Sequence, residues 1–550
     1  MNFIVNETAQ KLRGGYYTPE RLADYMAAWA LGKGGISVLE PSCGDGVFVD
    51  ALARASKGRE LKFSAFELET DEAAKAKKRA KKHKSLNSSV ENADFLPWAI
   101  QNMITDAAHF DAVVGNPPFV RYQYLDKDAQ RNAEAIFKIL GLPFTKHTNA
   151  WVPFVLASVA LLKPGGRIGM ILPAEVIHVR HAQSLRSYLG NMCSRILIID
   201  PEELWFENTL QGAVILLAER KSPEVSHSYG VGIHQVVGDG FLSQPSEELF
   251  ASVQRINGKT VAGKWTRALL SPSELTLLDR VSGLPDVHEF REVAGVDVGI
   301  VTGANDFFLV DDKTVKDFQL EKFAHPMFGR SGHCPGVIYD SEQHAENAKS
   351  GYPTNFLWFD PEGKPLARKT REYIEFGEKQ DLHTRFKCRI RKPWYRVPSV
   401  YSTEVGMLKR SHDMPRLILN RIGALTTDTA YRVTTNGVAP GKLVSCFINP
   451  LTALSAELEG RHYGGGVLEL VPSEIEELLI PVPSRLPASL KMLDKLIREK
   501  SAVEVLEEYG SNVLTALGLK ESDSFDLLCG WKRLKNRRQR IAEVDANLSL

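Results

Sequence analysis

Ile36-Ser37-Val38-Leu39-Glu40-Pro41-Ser42-Cys43-Gly44-Asp45-Gly46-Val47-Phe48-Val49-Asp50 is the stretch that decides the fold. A short apolar run, Ile36 to Glu40, meets a turn holding two glycines, and an apolar pattern of helical period follows from Val47 to Ala55. Strand, tight turn and helix in that order form the first half of a βαβ unit. Gly44 and Gly46 let the backbone turn sharply and approach a ligand closely. The turn stands at the carboxyl end of a strand, where open α/β sheets bind their ligands. It lacks the three spaced glycines of the dinucleotide fingerprint.

Outward from this turn, strands and helices alternate over the first ~220 residues, the pattern of a doubly wound sheet. Further strands are predicted at Leu61 to Glu67, Phe110 to Gly115, Arg167 to Leu172, Arg195 to Asp200 and Gly212 to Glu219. Several are apolar and β-branched enough to be buried on both faces. Helical patterns fall at Arg21 to Leu31 and Trp151 to Leu162, the second stopped by Lys163-Pro164-Gly165-Gly166. Lys75 to Lys84 reads as the exposed side of a helix between two strands. The domain expectation is a nucleoside-cofactor domain over 1–225, a connecting region over 226–284, a mixed α+β domain over 285–485 and a helical tail over 486–550.

Bulk properties fit this division. A chain of 550 residues exceeds what one core supports. Apolar (43%) and charged (25%) fractions are those of a globular protein, and no run is long enough to span a membrane. The N-terminus lacks the basic and apolar regions of a signal peptide. Six scattered cysteines suit a reducing cytoplasm and form no zinc cluster, so no metal is expected. Net charge is only +1, so any nucleic-acid partner must be sought in the distribution of charge.

Two later loops add chemistry to the glycine turn. The second strand ends in Phe66-Glu67, and an acid there can accept both hydroxyls of a ribose. Asn92-Ala93-Asp94-Phe95 follows a short strand; Asp94 can accept from an adenine amino group, with Phe95 against the ring. Each acid alone is as well read as an ordinary loop acid, but their order describes a nucleoside-containing cofactor. The sharpest motif is Asn116-Pro117-Pro118-Phe119, at the end of the strand Phe110 to Gly115. The exocyclic amine of a nucleobase is a poor nucleophile because its lone pair is delocalised into the ring. A rigid Pro-Pro turn can aim the Asn116 side-chain oxygen and the Pro117 carbonyl at both amine hydrogens. That favours a pyramidal nitrogen directed at a methyl donor. Phe119 offers a ring on which a base taken out of the duplex can stack. The competing reading, an ordinary strand-ending turn, is weakened by two consecutive prolines after an Asn.

On these residues the chain resembles the gamma-arrangement (TaqI-like) adenine-N6 DNA methyltransferases of restriction–modification systems. The family's first motif corresponds to Gly14-Gly15-Tyr16-Tyr17-Thr18-Pro19, its glycine loop to Glu40 through Phe48, and its catalytic tetrad to Asn116, Pro117, Pro118 and Phe119. The resemblance implies a Rossmann-like class I methyltransferase domain with a mostly parallel seven-stranded sheet, and a target-recognition domain with a helical tail. It implies S-adenosyl-L-methionine as cofactor, held by Thr18, Pro19, Glu40, Pro41, Ser42, Cys43, Gly44, Gly46, Glu67, Asp94 and Phe95. A second aromatic for the flipped adenine is matched best by Phe206, with Trp205 as the alternative. Val298 through Phe308 is similar to a segment recurrent in the family's recognition regions. The implied partner is double-stranded DNA held between the two domains and bound by a monomer, with a separate cognate restriction endonuclease in a bacterial or archaeal cytoplasm.

Basic residues concentrate from Arg385 to Arg421, ten of them against only Glu404 and Asp413. Arg389, Arg391, Lys392, Arg396, Lys409 and Arg410, interleaved with Trp394, Tyr395 and Tyr401, are the candidate DNA contacts. For any single arginine a solvated face is the plainer reading. A second basic run, Lys532 to Arg540, is balanced between solvated surface and backbone contact. Cytosine-C5 methylation is excluded by the lack of a cysteine following a proline at the tetrad, and deamination by the lack of a zinc-binding Pro-Cys-x-x-Cys. Asp340 with Glu362-Gly363-Lys364 only faintly imitates a nuclease, and no fused N-terminal nuclease is expected. The alternatives are RNA guanine-N2 methylation, protein glutamine methylation and a catalytically decayed DNA-binding subunit.

Overall fold

The computed structural model describes residues 17–107, 109–202, 205, 212–256, 263–359, 366–463, 465–486 and 489–539. The chain divides into two units, Met1–Pro272 and Ser273–Leu550. Among the described residues no helix is long and apolar enough to cross a membrane.

The first unit is built on β1 (Ser37–Glu40), β2 (Leu61–Glu67), β3 (Leu86–Asn92), β4 (Phe110–Gly115), β5 (Leu162–Pro173), β6 (Cys193–Pro201) and β7 (Ala213–Arg220). They lie in the order β3-β2-β1-β4-β5-β7-β6. β3, β2, β1, β4 and β5 are mutually parallel, and β7 runs antiparallel to both β5 and β6. These seven strands form the mostly parallel, Rossmann-like sheet expected from the sequence. Its crossovers are α1 (Glu20–Leu31), α2 (Val47–Ala55), α3 (Thr70–Ala80), α4 (Phe95–Thr105), α5 (Lys127–Ile139), α6 (Trp151–Ala160) and α7 (Gln183–Met192). Burial explains the strand composition: β7 is buried from Ala213 through Glu219, as a central strand covered on both faces must be. β3, at the sheet edge, is polar and mostly accessible.

The structure departs from the sequence reading in two respects. The sheet has nine strands, because β8 (Val231–Val236) and β9 (Arg255–Ile256) continue it beyond β6. The stretch 226–284, expected as a connecting region, therefore supplies strands to the first unit. Gly232 permits this, since a Cβ there would stand 2.6 Å from Val253 Cγ1. β5 also begins at Leu162 and runs through Lys163-Pro164-Gly165-Gly166, which was read as a helix stop alone. An irregularity in the β4–β5 register accommodates this segment.

The second unit is mixed α+β. A five-stranded sheet orders Ala294–Val298, Ala430–Thr435, Val405–Leu408, Leu417–Asn420 and Ile338–Tyr339. An aromatic core of Phe307, Phe308, Phe356, Tyr373 and Trp394 lies alongside it. Helix Glu521–Gln539 buries Leu527, Leu528, Trp531 and Leu534 and packs on helix Pro450–Glu459. The tail is thus part of this unit's core. Part of its basic run is spent inward: Arg533 pairs with Glu274 at 2.6 Å and Arg538 with Glu457 at 2.7 Å, whereas Lys532 is exposed. Asp340 caps helix Ser341–Lys349 by accepting from Gln343 N, and Glu362, Gly363 and Lys364 lie outside the described residues.

Candidate active site

The carboxyl ends of β1, β2 and β4 open onto a cavity of about 720 Å³ in the first unit. Its wall includes Thr18, Glu40, Pro41, Ser42, Cys43, Gly44, Glu67, Asp94, Phe95, Asn116 and Pro118. Residues from five separate segments of the chain, four of them read from the residues and Thr18 implied by the resemblance, therefore meet around one space. Pro19, Gly46, Pro117 and Phe119 are not among the residues that line it.

The glycine turn is held from two sides. Gly46 sits at φ +89°, and a Cβ on it would come within 2.9 Å of the Ala76 Cα, so glycine is required for both conformation and space. Gly44, at φ +51°, has nothing within 4 Å of where a Cβ would project. Its amide donates to Glu67 Oε2 at 2.8 Å, while the Glu69 amide donates to Glu67 Oε1 at 2.8 Å. Glu67 is thereby fixed at the end of β2 with further acceptor capacity on both oxygens. Arg79 does not lie on an exposed face as its lysine-rich surroundings suggested. It reaches Asp45 Oδ2 at 2.6 Å and Asp50 Oδ2 at 2.7 Å, clamping the turn to α2.

Electrostatically the cavity is negative. Glu40 is 1% exposed, and its Oε2 has no hydrogen-bond partner among the described residues. Burial, with Glu67 and Asp45 adding like charge, holds its carboxyl well above the usual range. Burial also raises Asp94, against the hydrogen bond it accepts from Leu96 N as the cap of α4. Cys43 is packed beneath the turn with its amide bonded to Phe66 O, and burial pushes its thiol up, away from nucleophilic use. Phe95 is buried among Phe66, Trp98 and Phe154 and presents part of its surface to the cavity.

Asn116 lies one residue beyond β4. Its carbonyl accepts from Ser42 Oγ at 3.0 Å, and its Nδ2 donates to Thr18 Oγ1 at 3.3 Å. Gly115 beneath it passes close to Pro41, whose Cδ would lie 3.3 Å from an added Cβ. The loop then returns to α6 through Ala150 N, which donates to Val120 O at 2.8 Å. Phe119 is half-buried and packs against the core of the first unit. Trp205 stacks on Phe241 with ring centroids 6.0 Å apart. Phe206, with Gly14, Gly15 and Tyr16, lies outside the described residues.

The cavity also has walls that the motifs did not identify. Leu68, 67% exposed, follows Glu67 directly, and Tyr17 lines the rim with its hydroxyl donating to Glu72 Oε1 at 3.2 Å. Phe154 and Tyr124 close other sides. An exposed leucine beside a strand-end acid was a legible signal, whereas Phe154 reads as one more apolar residue of a core helix.

In the second unit the basic cluster separates into engaged and open residues. Arg391 donates to the carbonyls of Thr302 and Val301 at 2.6 and 2.7 Å. Lys409 and Arg410 both pair with Glu469, at 3.3 and 2.6 Å. Arg396 is half-buried, and Arg389 and Lys392 are exposed.

Comparison with known proteins matches both units. The family model described as Eco57I restriction-modification methylase matches residues 47–205. The one described as Type II methyltransferase M.Eco57I, C-terminal domain, matches 262–514. Type II methyltransferase M.AccI of Acinetobacter calcoaceticus is 22% identical over 521 residues, covering 92% of this chain and 90% of that protein. Type II methyltransferase M.BstVI of Geobacillus stearothermophilus is 22% identical over 391 residues, covering 62% and 68%. A cryoEM structure of a DrdV–DNA complex aligns with TM-score 0.48 and 12% identity, covering 89% of this chain and 57% of that one. Restriction–modification methylases are thus what both halves of the chain are similar to, and the resemblance to DNA methyltransferases of restriction–modification systems is borne out.

Proposed function

We propose that this relative of the restriction–modification methylases transfers the methyl group of S-adenosyl-L-methionine to the N6 amine of an adenine in double-stranded DNA. One juxtaposition carries the reading: Asn116, tied through its carbonyl to Ser42 of the glycine turn, shares a cavity wall with Glu40, Glu67 and Asp94. The wall suits the cofactor on the structure's own terms. Glu40 offers a buried carboxyl oxygen with no hydrogen-bond partner among the described residues, close to Glu67 and Asp45, and this surplus of acid favours a ligand carrying positive charge. Gly44 faces open space where a side chain would intrude, and about 720 Å³ is the size of a cofactor site.

S-adenosylmethionine supplies an electrophilic methyl group on a sulfonium centre. Glu67 is the acceptor for the ribose hydroxyls, Asp94 for the adenine amino group and Glu40 for the cationic end, with Thr18 beside Asn116. Asn116 Oδ1 and the Pro117 carbonyl accept the two hydrogens of the target amine and orient its lone pair toward the methyl. Phe119 and Phe206 are the proposed stacking surfaces for the displaced base. The exposed bases of the second unit, Arg389 and Lys392, contact the DNA backbone. A separate restriction endonuclease would cut what this chain leaves unmodified.

The test is transfer of labelled methyl from S-adenosylmethionine to unmethylated genomic DNA, followed by nucleoside analysis. Label in N6-methyladenine supports the proposal. Label in another nucleoside, or only in RNA or protein controls, refutes it in favour of a different methyl acceptor. Cofactor binding without label in any of them would mark a decayed enzyme.

A further inference from the structure

Within the second unit, the turn from Arg385 to Lys392 sets Arg389 and Lys392, placed above on the DNA backbone, among features that the mechanism does not use. Phe386 and Ile390 are each 62% exposed on a surface otherwise made of cations. Arg385, Lys387, Arg389 and Lys392 are all exposed around them. Among the described residues, none of these four makes an ion pair with a carboxylate within 4 Å, whereas Lys409, Arg410 and Arg533 each do. The Phe386 ring is approached by Arg389 and Lys387 at 5.5 and 5.7 Å from its centroid. Four unneutralised cations repel one another, and two large apolar side chains lose free energy in water, so this surface is complete only with an anionic, partly apolar ligand.

The turn is rigidly founded. Gly303 stands at φ +81°, and a Cβ there would lie 2.7 Å from Lys387 Cβ and 3.3 Å from Cys388 Sγ. Arg391 bolts the same segment through the Val301 and Thr302 carbonyls. The recurrent segment Val298 through Phe308 thus serves as a platform that holds the turn outward.

We propose that residues 385–392 form a DNA-binding knob. Phe386, seconded by Ile390, enters a groove as a wedge against a base step, and Arg385, Lys387, Arg389 and Lys392 hold the flanking phosphates. This rests on the reading of the chain as a DNA methyltransferase. Nucleic acid fits the chemistry because it alone offers a line of phosphates beside flat apolar faces, and aromatic or aliphatic wedges between base steps are a known way to use both.

The experiment uses the full-length protein and a short fluorescein-labelled duplex selected from random sequence for binding to it, with anisotropy read across a salt series. Lys387→Gln/Arg389→Gln should lower the slope of log affinity against log salt by about two. Phe386→Ala should leave that slope unchanged and weaken binding about tenfold, with Phe386→Trp restoring it. Charge variants that act while Phe386→Ala binds normally would reduce the knob to a phosphate surface and overturn the wedge. Normal binding by all variants would exclude DNA as the occupant. Methyl transfer by the unaltered protein is measured in parallel: its absence refutes the enzymatic reading, whereas its presence with no effect of these variants refutes only the knob.

Discussion

Asn116 Nδ2 donates to Thr18 Oγ1 across 3.3 Å, bridging two loops 98 residues apart in the chain. The bond anchors the amide with Oδ1 turned away from Thr18, although a hydroxyl, which donates as well as accepts, would also hold the reversed amide. Under the proposed chemistry that orientation matters, since Oδ1 must accept from the target amine while Nδ2 would repel it. Thr18→Val keeps the shape and removes the acceptor, so kcat should fall about tenfold. Thr18→Ser should stay near the unaltered rate. Single-turnover rates for both variants decide this, and equal rates would remove Thr18 from the positioning of Asn116.

Asn116 itself should be indispensable to transfer and nearly dispensable to cofactor binding. Losing an acceptor that acts on developing charge costs about 10²–10³ in rate. Asn116→Ala is therefore expected to depress kcat by at least about 100-fold. Cofactor affinity, measured by calorimetry, should change little, because Glu40, Glu67 and Gly44 are untouched. A near-normal rate would end the proposed role.

The two glycines of the turn should fail differently. Gly46→Ala meets the Ala76 backbone at 2.9 Å in a left-handed conformation, so it should destabilise the first unit by more than the ~1–2 kcal/mol of left-handed strain alone. Gly44→Ala carries that strain without a clash, and its methyl projects toward the cavity. It should cost less stability and more cofactor affinity. Chemical denaturation beside calorimetric titration of each variant separates the two effects.

The sheet was legible because its central strands are continuous apolar runs ending in chemistry-bearing turns, as in Val38-Leu39-Glu40 and Val113-Val114-Gly115-Asn116. β3 gave little signal of its own, since Leu86-Asn87-Ser88-Ser89-Val90-Glu91-Asn92 at a sheet edge satisfies polar side chains with water. β8 and β9 were missed for another reason: their membership depends on Gly232 admitting the Val253 side chain and the Gln254 carbonyl, a tertiary fact. At the site, Glu40, Glu67, Asp94 and Asn116 were legible through their strand-end positions. Phe154 and Leu125 were not, because a cavity wall needs only an apolar surface from whichever helix or loop passes by. Charge was the least legible feature. Arg79, Arg391 and Arg538 all looked like surface residues in sequence, and each is committed to a partner inside its unit.

Arg538 gives that commitment a measurable size. Its guanidinium bonds both oxygens of Glu457, at 2.9 and 2.7 Å, with both side chains fully buried. It also bonds the carbonyls of His412 and Gly466. Removing one partner of a buried pair leaves an uncompensated charge and costs about 3–5 kcal/mol. Arg538→Ala should therefore destabilise the second unit by that amount in urea denaturation. The double variant Arg538→Met/Glu457→Leu should recover most of it, because apolar replacements of similar volume leave no charge to desolvate. A double variant as unstable as the single one would show that the bonds to the carbonyls dominate.

Glu40 ties cofactor binding to pH. Its folded-state pKa is raised by burial first, then by Glu67 and Asp45. In the unfolded chain the same carboxyl ionises in the ordinary range, near pH ~4.3. Below that value both states are protonated and Glu40 costs nothing. As pH rises, the unfolded chain loses its proton while the folded, ligand-free protein keeps it, so stability is progressively lost until the folded-state pKa is passed. Glu40→Gln cannot ionise and should be more stable than the unaltered protein above pH ~5 in the absence of cofactor, the gap widening with pH. The positive charge proposed to sit against Glu40 favours the carboxylate, so binding should expel the proton and affinity should rise with pH. Calorimetric titrations in two buffers of different ionisation enthalpy measure the protons released. The unaltered protein should release a fraction of a proton to one proton that Glu40→Gln does not, and the variant should bind more weakly. Equal proton release by the two would assign the linkage to another acid of the cavity, with the raised Asp94 next in line.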